Sequence, residues 1–317
     1  PDGGRVLRGV GVAVGGWVGG VEPASAVCRV NHDGSVSVIV GSVDLSGTNT
    51  ALTQIAAEAF GVPVEQVAVT NADTEAAPYA GASGGSKITY TVGAAVQRAA
   101  ADARRQLLAI AADRLEAAVE DLEVVDGAVR VRGVPDRAVP IAKLAQASME
   151  FGGKYEPIFG RGASATTQRA PGFAAHVSEV EVEVDTGAVR VLDHVVIQDV
   201  GRALNPAAVE GQMQGGVAQG IGWALLERMD YDEQGQLRSG SLMDYALPHP
   251  RHVPPIRPVI LELPSQAGPF GAKGVGEPPV VAAGAAVVSA VAAATGRRFT
   301  EFPITGEAIL GALRRSS

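Results

Sequence analysis

The decisive stretch lies near the C-terminus, where residues 271–296 read GAKGVGEPPVVAAGAAVVSAVAAATG. Residues 280–294 are small and apolar apart from one serine, so a helix here must be buried against other parts of the protein. Pro278 and Pro279 suit a first helical turn, where a missing N–H costs nothing. The helix therefore begins at or just after Glu277, and its positive end faces that carboxylate.

Bulk composition limits the possible functions. A chain of 317 residues, 46% of them hydrophobic, exceeds what one core normally supports and predicts two domains. The 26 basic and 34 acidic residues give a net charge of −8 without a basic cluster, which argues against a nucleic-acid partner. Cys28 is the only cysteine, so this chain alone holds no disulfide, thiolate zinc site or iron–sulfur cluster.

The chain opens without a charged-then-apolar leader. Its longest apolar run, about fifteen residues, is shorter than the roughly 20 that a membrane-spanning helix needs. We therefore expect a soluble, cytoplasmic protein without a membrane span.

Hydrophobic spacing predicts the first local elements. Residues 35–40 alternate as a strand, and apolar residues recur at helical spacing over 50–60, with Thr48 or Asn49 available as the cap. A second helix is predicted over residues 92–118.

Two hairpins are predicted further along. The sequence VDGAV at 125–129 is typical of a tight turn, and residues 176–201, HVSEVEVEVDTGAVRVLDHVVIQDVG, alternate on both sides of a DTG turn. We predict an α+β fold of two α/β subdomains with mixed sheets and buried Gly/Ala-rich helices. Residues 1–150 form the first, with a Gly/Ser loop at 81–93, and residues 151–317 form the second.

A glycine-rich helix is predicted in the second half, with Asn205 as N-cap and Pro206 at the first helical position. Each glycine costs up to about 1 kcal/mol relative to alanine inside a helix. Two explanations remain open: another backbone packs closely here, or a flat ligand lies against the helix with Gln212 pointing at it. The glycines are Gly211, Gly215, Gly216, Gly220 and Gly222.

The Gly/Ser segment YAGASGGSKITYTVG, residues 79–93, offers many backbone N–H groups and the hydroxyls of Ser83, Ser86 and Thr89. Because a helix follows, an anionic ligand could be cradled here. The alternative is a flexible surface loop.

The segment GAKGVGEPP does not match a phosphate-binding loop, since Lys273 is followed by glycine and the acid at the helix start would repel phosphate. Its carboxylate, Glu277, is better explained as a base. The helix end favours the charged form while apolar packing limits its hydration. The alternative is an ordinary N-cap acid with Lys273 as a solvated neighbour.

Five ordered motifs, spread over nearly the whole chain, resemble the C-terminal half of the molybdenum-binding subunit of the xanthine dehydrogenase and aldehyde oxidase family. The resemblance is nearest to the carbon-monoxide-dehydrogenase-like branch. The motifs are GSVDLSGTNTALTQIAAE (41–58), GGSKITYTVGAAVQRAA (84–100), FAAHVSEVEVEVDTGAVRVL (173–192), QDVGRALNPAAVEGQMQGGVAQGIGWALLE (198–227) and GAKGVGEPPVVAAGAAVVSAV (271–291).

This resemblance implies a molybdenum hydroxylase acting on an aldehyde or an N-heterocycle. Glu277 matches the family's catalytic base, which takes a proton from a molybdenum-bound hydroxyl. The water-derived oxygen then attacks the substrate carbon while hydride passes to a sulfido ligand. The metal is held through its pterin, near Gly85 and Glu277, rather than by protein side chains.

The resemblance also implies cofactor contacts. Gln212 matches a glutamine that hydrogen-bonds the pterin, which favours ligand contact at the glycine-rich helix. Where many members read GQG, this chain has Leu45, Ser46 and Gly47, so that glutamine contact is missing or replaced by Ser46. The candidate cofactor-binding residues are Ser46, Gly47, Gly84, Gly85, Ser86, Lys87, Thr89, Gln212, Lys273 and Gly276.

The implied cofactor is molybdopterin with molybdenum, in the cytosine dinucleotide form, while iron–sulfur clusters and FAD belong to partner chains. The implied partners are the N-terminal half of the molybdenum subunit, an iron–sulfur subunit and a flavin subunit. We therefore expect a split subunit or an excised half. Two other functions stay open: a cofactor-free scaffold of the same fold that binds a partner, and a phosphate-binding enzyme that uses the Gly loop.

Overall fold

The computed structural model describes residues 5–314. These residues form mixed sheets covered by helices, which confirms the predicted α+β class. The strands are β1 (Val6–Trp17), β2 (Ala24–Val30), β3 (Val36–Val40), β4 (Val67–Asn71), β5 (Leu122–Val125), β6 (Ala128–Val131), β7 (Val134–Pro140), β8 (Phe159–Ser164), β9 (Gly172–Glu183), β10 (Val189–Asp199) and β11 (Ile256–Leu261). The α-helices are α1 (Thr48–Phe60), α2 (Ile88–Leu115), α3 (Ile141–Ser148), α4 (Pro206–Leu225), α5 (Pro278–Val281), α6 (Ala283–Thr295) and α7 (Gly306–Arg314).

The chain divides into two compact units. Within the described range, the N-terminal unit comprises residues 19–170 and 264–274. The C-terminal unit comprises residues 5–18, 171–263 and 275–314. This division differs from the predicted boundary after residue 150, because the first strand and the loop at 264–274 each fold with the unit built mainly from the opposite half.

The N-terminal unit contains a four-stranded sheet in the order β8–β2–β3–β4, antiparallel except for the β3–β4 pair. Helix α2 lies on β8 and β2, and α1 packs against α2. A small antiparallel sheet, β5–β6–β7, completes the unit.

The C-terminal unit contains a sheet of the same pattern, β1–β9–β10–β11, antiparallel except for the β10–β11 pair. Helix α6 lies on β1 and β9, while α4 packs against α5, α6 and β11. The apolar core of this unit lies between the sheet and these helices and includes Val180, Met213, Ile221 and Val287.

The two halves of the chain repeat one order of elements. The series β1, β2, β3, α1, β4, α2 is followed by the series β8, β9, β10, α4, β11, α6, with β5, β6, β7 and α3 between the two series and α5 inside the second. The first strand of each series, however, pairs in the sheet of the other: β1 pairs with β9, and β8 pairs with β2. This exchange of edge strands explains why the predicted boundary and the compact units differ.

Glycines on β1 bring helix α6 into direct contact with the strand. An added Cβ at Gly11 would lie 2.1 Å from the backbone nitrogen of Ala290, and one at Gly9 would lie 2.2 Å from the carbonyl oxygen of the same residue. The helix presents alanines at Ala286, Ala290 and Ala294, so neither surface carries a side chain that separates the two backbones.

The N-terminal unit uses the same contact between β8 and α2. An added Cβ at Gly160 would lie 2.2 Å from the carbonyl oxygen of Ala99, and one at Gly162 would lie 2.0 Å from that of Ala95. Each sheet therefore has a Gly-x-Gly edge strand beneath an alanine-rich helix.

Several local predictions are confirmed. The hairpin over 176–201 is formed by β9 and β10. Asp126 and Gly127, with φ of 49° and 74°, form the predicted turn between β5 and β6. The side chain of Asn205 accepts a hydrogen bond from the N–H of Ala208 at 3.2 Å, as an N-cap does.

Two local predictions are wrong. Neither Thr48 nor Asn49 caps α1, because the helix already begins at Thr48; its N-cap is Gly47, and Asp44 accepts the N–H of Asn49 at 3.0 Å. The apolar helix after Glu277 is also not continuous. Ala282, with φ −114° and ψ −4°, separates the single turn of α5 from α6.

The stretch Pro278–Thr295, which joins α5 and α6, has a mean hydropathy of 1.7 over 18 residues and is half buried within the protein. By length and composition alone such a stretch could cross a membrane, but buried core helices share these properties. Its direct contact with β1 accounts for the small apolar residues as core packing.

Two histidines lie inside the C-terminal unit. His176 and His194 are both fully buried, with Nδ1 of the first 3.0 Å from Nε2 of the second. Burial, joined for His176 by the neighbouring ring of His194, lowers the pKa of each imidazole to about 4. Both rings are therefore neutral at pH 7.

Gly11→Ala should destabilise the C-terminal unit by about 3 kcal/mol, because the added methyl group meets helix backbone that cannot rotate away. Gly311→Ala is the matched control: apart from the adjoining residues and backbone of α7, no atom within residues 5–314 lies within 4 Å of its added Cβ, and alanine favours helix α7 by up to about 1 kcal/mol. Denaturant unfolding of both variants measures the difference. Equal stabilities would contradict the contact described.

The histidine pair predicts a loss of stability in mild acid. Since the folded pKa of about 4 lies below the ordinary 6.5, the unfolded chain binds more protons between these values. The stabilisation is complete above pH 6.5 and is lost as the pH falls towards 4, by about 3 kcal/mol for one imidazole. The thermal midpoint should fall between pH 7.5 and pH 5 in the native chain and in His32→Gln, an exposed control. A similar fall in the double variant His176→Gln/His194→Gln would exclude the pair as the cause.

Candidate functional site

The Gly/Ser loop of the N-terminal unit has a strained backbone immediately before α2. Gly85 and Ser86 both adopt left-handed conformations, with φ of 70° and 59°. This is ordinary for glycine but unusual for serine, and such residues persist only where the surrounding structure holds them. The loop is therefore ordered, which argues against a flexible surface loop.

An ion pair between a buried lysine and a partly exposed glutamate holds this loop. The side chain of Lys87 is only 5% exposed, and its Nζ lies 3.0 Å from a carboxylate oxygen of Glu22. Nζ also donates to the carbonyl oxygen of Ala80 at 2.9 Å, and the hydroxyl of Tyr79 donates to Glu22 at 2.6 Å. The hydrogen bond from Tyr79, followed by that from Lys87, lowers the pKa of Glu22. Lys87 remains a predicted cofactor contact, with its ammonium group engaged in fixing the loop.

Backbone contacts brace the loop from two sides. The N–H of Gly20 donates to the carbonyl oxygen of Gly85 at 2.6 Å, and an added Cβ at Gly20 would lie 3.0 Å from that oxygen. Gly274 approaches from the other chain segment of the unit, where an added Cβ would lie 2.0 Å from the carbonyl oxygen of Ser86. Glycine at both positions permits this close approach.

The loop ends at the N-terminus of α2, whose N-cap is Lys87 and whose first turn contains no acidic residue. A helix start without a side-chain cap leaves backbone N–H groups available, and these favour an anion. Thr89 lies in this first turn.

A second turn of similar conformation precedes α1. Ser46 and Gly47 have φ of 62° and 74°, and both are exposed. No other described atom lies within 4 Å of a Cβ added at Gly47. The two predicted cofactor segments of this unit thus share a left-handed Ser/Gly pair followed by a helix.

The glycine-rich helix α4 of the C-terminal unit has a packed side and an open side. An added Cβ at Gly216 would lie 2.6 Å from Pro279, and one at Gly220 would lie 2.5 Å from Ala283, so these glycines allow α5 and α6 to pack closely. At Gly211 and Gly215, by contrast, an added Cβ would have no described atom within 4 Å apart from the adjoining residues and backbone of α4 itself. Close backbone packing therefore explains one side of the helix.

Gln212 follows Gly211 in sequence and precedes Gly215 by three residues, so its side chain lies beside the open side of α4. Residues 211 and 215 are one turn apart and 212 is adjacent to both, so the three share one surface. Without side chains from the glycines, a flat group can reach the helix backbone beside the glutamine amide.

Glu277 is the N-cap residue of α5, but its side chain does not cap the helix. Its backbone carbonyl accepts the N–H of Val280 at 3.1 Å. Glu277 is therefore not an ordinary capping acid, which was the alternative explanation of this residue. Because Pro279 packs on Gly216, the helices that carry Glu277 and Gln212 contact each other within the C-terminal unit.

The predicted residues fall into two groups. The N-terminal unit carries Ser46, Gly47, the loop at 84–89 and Lys273, which precedes the contact residue Gly274. The C-terminal unit carries Gln212, Gly276 and Glu277.

Sequence reasoning missed Glu22 and Tyr79. Their role depends on Lys87, and a lysine at the start of an apolar helix needs an acidic partner if it is buried. That signal was present, but nothing in the sequence indicates that the partner lies 65 residues earlier, just before β2.

Within residues 5–314, no group of three or more His, Cys, Asp or Glu side chains is arranged to hold a metal ion.

Comparison with known proteins gives consistent matches. The family model of the molybdopterin cofactor-binding domain matches residues 2–254. The nicotine 6-hydroxylase large subunit of Paenarthrobacter nicotinovorans is 35% identical over 300 residues, 92% of this chain and 37% of that protein. The carbon monoxide dehydrogenase large chain of Afipia carboxidovorans is 33% identical over 263 residues, 81% of this chain and 32% of that one.

A solved structure is similar in fold. Quinoline 2-oxidoreductase from Pseudomonas putida 86 matches with a TM-score of 0.89 and 34% identity, over 98% of this chain and 42% of that chain. The chain thus spans between 32% and 42% of the length of these proteins.

Glu22→Gln should lower the thermal midpoint of unfolding by about 5 °C, because it leaves the buried ammonium group of Lys87 without its counter-ion. Asp113→Asn, which breaks the exposed pair with Lys154 in the same unit, should change it by less than about 1 °C. Calorimetry compares the two. If Glu22→Gln/Lys87→Met is no more stable than Glu22→Gln alone, the two side chains are not coupled as described.

Proposed function

The chain belongs to the family of molybdopterin cofactor-binding domains, and from this premise we propose that it forms part of the molybdenum site of a hydroxylase, with Glu277 as the general base. Its relatives are molybdenum-dependent oxidoreductases of the xanthine dehydrogenase and carbon monoxide dehydrogenase type. The proposal rests chiefly on one observation: Glu277 stands at the start of helix α5, but its carboxylate does not cap that helix.

The residues present fit a phosphate-bearing pterin. Two left-handed Ser/Gly turns, Ser46–Gly47 and Gly85–Ser86, each precede a helix whose first turn has no acidic residue. The open glycine surface beside Gln212 suits a flat ring system with hydrogen-bonding edges. In both places the cofactor could come close to the protein backbone, which side chains in place of the glycines would prevent.

We assign contacts on this basis. The loop at 84–89 would hold the cofactor through backbone N–H groups, with Ser46 and Gly47 at the second turn. The amide of Gln212 would bind the pterin, and Lys273 and Gly276 would flank it. A cytosine dinucleotide extension adds phosphate groups, for which the uncapped start of α2 is suited.

When bound, the cofactor supplies the oxidising centre that accepts two electrons from the substrate. The balanced reaction converts a C–H bond and water into a C–OH bond, two protons and these two electrons. Glu277 accepts the proton that water loses, and its position at the start of a proline-initiated helix keeps the carboxylate off its own backbone N–H groups.

The substrate class we propose is an aromatic N-heterocycle, with aldehydes as the second candidate. Nicotine and quinoline, after which two of the similar proteins are named, both contain a six-membered aromatic ring with a nitrogen atom. In such rings the carbon beside or opposite the nitrogen is electron-poor, which favours attack by oxygen.

The proposed partners follow from length. Since the chain spans 32% to 42% of the compared proteins, the remaining part of a large subunit would have to complete the pocket. Electrons would then leave through iron–sulfur and flavin centres on further chains.

A cofactor-free scaffold of the same fold is the second candidate. It gives no reason for strained Ser46 and Ser86 or for the open surface beside Gln212. Molybdenum and cytosine nucleotide analysis of the complex purified from its native host separates the two: about one metal per chain supports the hydroxylase, and a metal-free complex supports the scaffold.

Glu277→Gln should lower turnover by roughly 100- to 10,000-fold in the assembled complex, with metal content unchanged, because it removes the base and keeps the shape. Glu301→Gln, an exposed change in the same unit, is the control and should leave turnover unaltered. The rate is followed with N-heterocycles and an artificial electron acceptor. Near-normal turnover of a metal-loaded Glu277→Gln enzyme would refute the assignment.

A further inference from the structure

A cluster of four polar side chains lies on the inner face of the C-terminal sheet. His176 and Ser178 come from β9, while His194 and Gln198 come from β10. Ser178 is the cross-strand partner of His194, and all four side chains are fully buried. This face otherwise carries core residues such as Val180, so the cluster is a polar island within the apolar interior.

Most of the hydrogen-bonding capacity of this cluster is unused by the described residues. Within the cluster, a hydrogen bond of 3.0 Å joins the two imidazoles. Five buried atoms have no partner among residues 5–314: Nε2 of His176, Oγ of Ser178, Nδ1 of His194, and both Oε1 and Nε2 of Gln198. Native interiors rarely leave such atoms unpaired unless ordered water occupies the space.

The chemistry of these atoms identifies the ligand class. Two neutral imidazoles that share one hydrogen bond leave one N–H donor and one nitrogen acceptor free. The serine hydroxyl and the glutamine amide each both donate and accept. An anion would need only hydrogen-bond donors and a cation only acceptors. Water both donates and accepts, so it matches the mixture of donors and acceptors in the cluster. The complete burial of the cluster also excludes a larger exchanging molecule.

The cluster adjoins the break between α5 and α6. In the sheet, Gly15 is paired with Ala174, which is paired with Gln198. An added Cβ at Gly15 would lie 2.8 Å from the side chain of Val281 and 3.1 Å from that of Ala282, so the break lies over this row. Helix α5 also packs against β9 and β10.

A helix break provides partners for internal water. Interruption at Ala282 frees backbone groups that a continuous helix would pair, and inserted water is a recognised cause of such breaks. No side chain caps α6, so its first N–H groups are donors towards this region. The short α5, which begins at Glu277, therefore lies between this region and helix α4.

We propose that His176, Ser178, His194 and Gln198 bind an internal water cluster that fixes helix α5 and so positions the carboxylate of Glu277. The positioning role rests on the proposed function, while the water site does not. These four side chains act as positioning residues, since the proposal requires no contact between them and substrate or cofactor.

The water site is tested by a crystal structure of the assembled enzyme at a resolution that defines ordered water. We expect at least two water molecules within hydrogen-bonding distance of the five atoms. An empty interior, or pairing of these atoms with each other after side-chain rotation, would overturn the proposal whatever reaction the enzyme catalyses.

The positioning role is tested with Gln198→Met, which keeps length and removes both amide atoms. We expect an about tenfold lower kcat, a KM within about twofold, unchanged molybdenum content and loss of the adjacent water. Gln54→Met is the matched control, because Gln54 is also a glutamine with a buried unpaired oxygen but lies on α1. Its kcat should be unchanged.

Ser178→Ala, which adds no volume, serves if Gln198→Met fails to fold, and should lower kcat in the same direction. Unchanged kcat in the folded cluster variants would disprove the positioning role even if water is present. A failure of the proposed function is distinguished by Glu277→Gln, since normal turnover there refutes the base and leaves the water observation standing.

Discussion

The direct contact between an alanine-rich helix and a Gly-x-Gly strand determines the rest of both units. Gly11 beneath Ala290, and Gly162 beneath Ala95, let two backbones meet without intervening side chains. Such a contact tolerates almost no sliding, because any larger group on either surface would collide. Helices α2 and α6 are therefore fixed along their sheets, and with them the segments that precede them: the Ser86 loop and the turn that carries Glu277.

The exchange of edge strands extends this constraint through the chain. Strand β1 belongs to the first series of elements but supplies the glycines on which α6 lies, and β8 does the same for α2. Neither series completes its own sheet. Helix α6 therefore packs on a strand from the first series, and helix α2 on a strand from the second. The candidate residues at 84–89 and at 277 thus depend on strands distant from them in sequence.

The sequence predicts the elements that depend on neighbouring residues. The hairpin over 176–201, the turn at Asp126 and the Asn205 cap follow from patterns a few residues long, and the structure has all three. The strand exchange could not be predicted, because alternation reports a strand but not its partner. The Glu22–Lys87 pair and the polar cluster at His176 escaped for the same reason, since both join residues from different elements.

The break at Ala282 shortens the helix whose N-terminus faces Glu277. The sequence suggests a long apolar helix whose positive end faces the carboxylate, but the helix that starts at Glu277 is a single turn. The effect of a helix end arises from its unpaired N–H groups and is confined to the first turn, so these groups matter more than helix length. The longer helix α6 begins past the break, next to the row that contains Gln198. Because Pro279 of α5 packs on Gly216 of α4, the short helix that begins at Glu277 is held in a defined position, which the proposed general base requires.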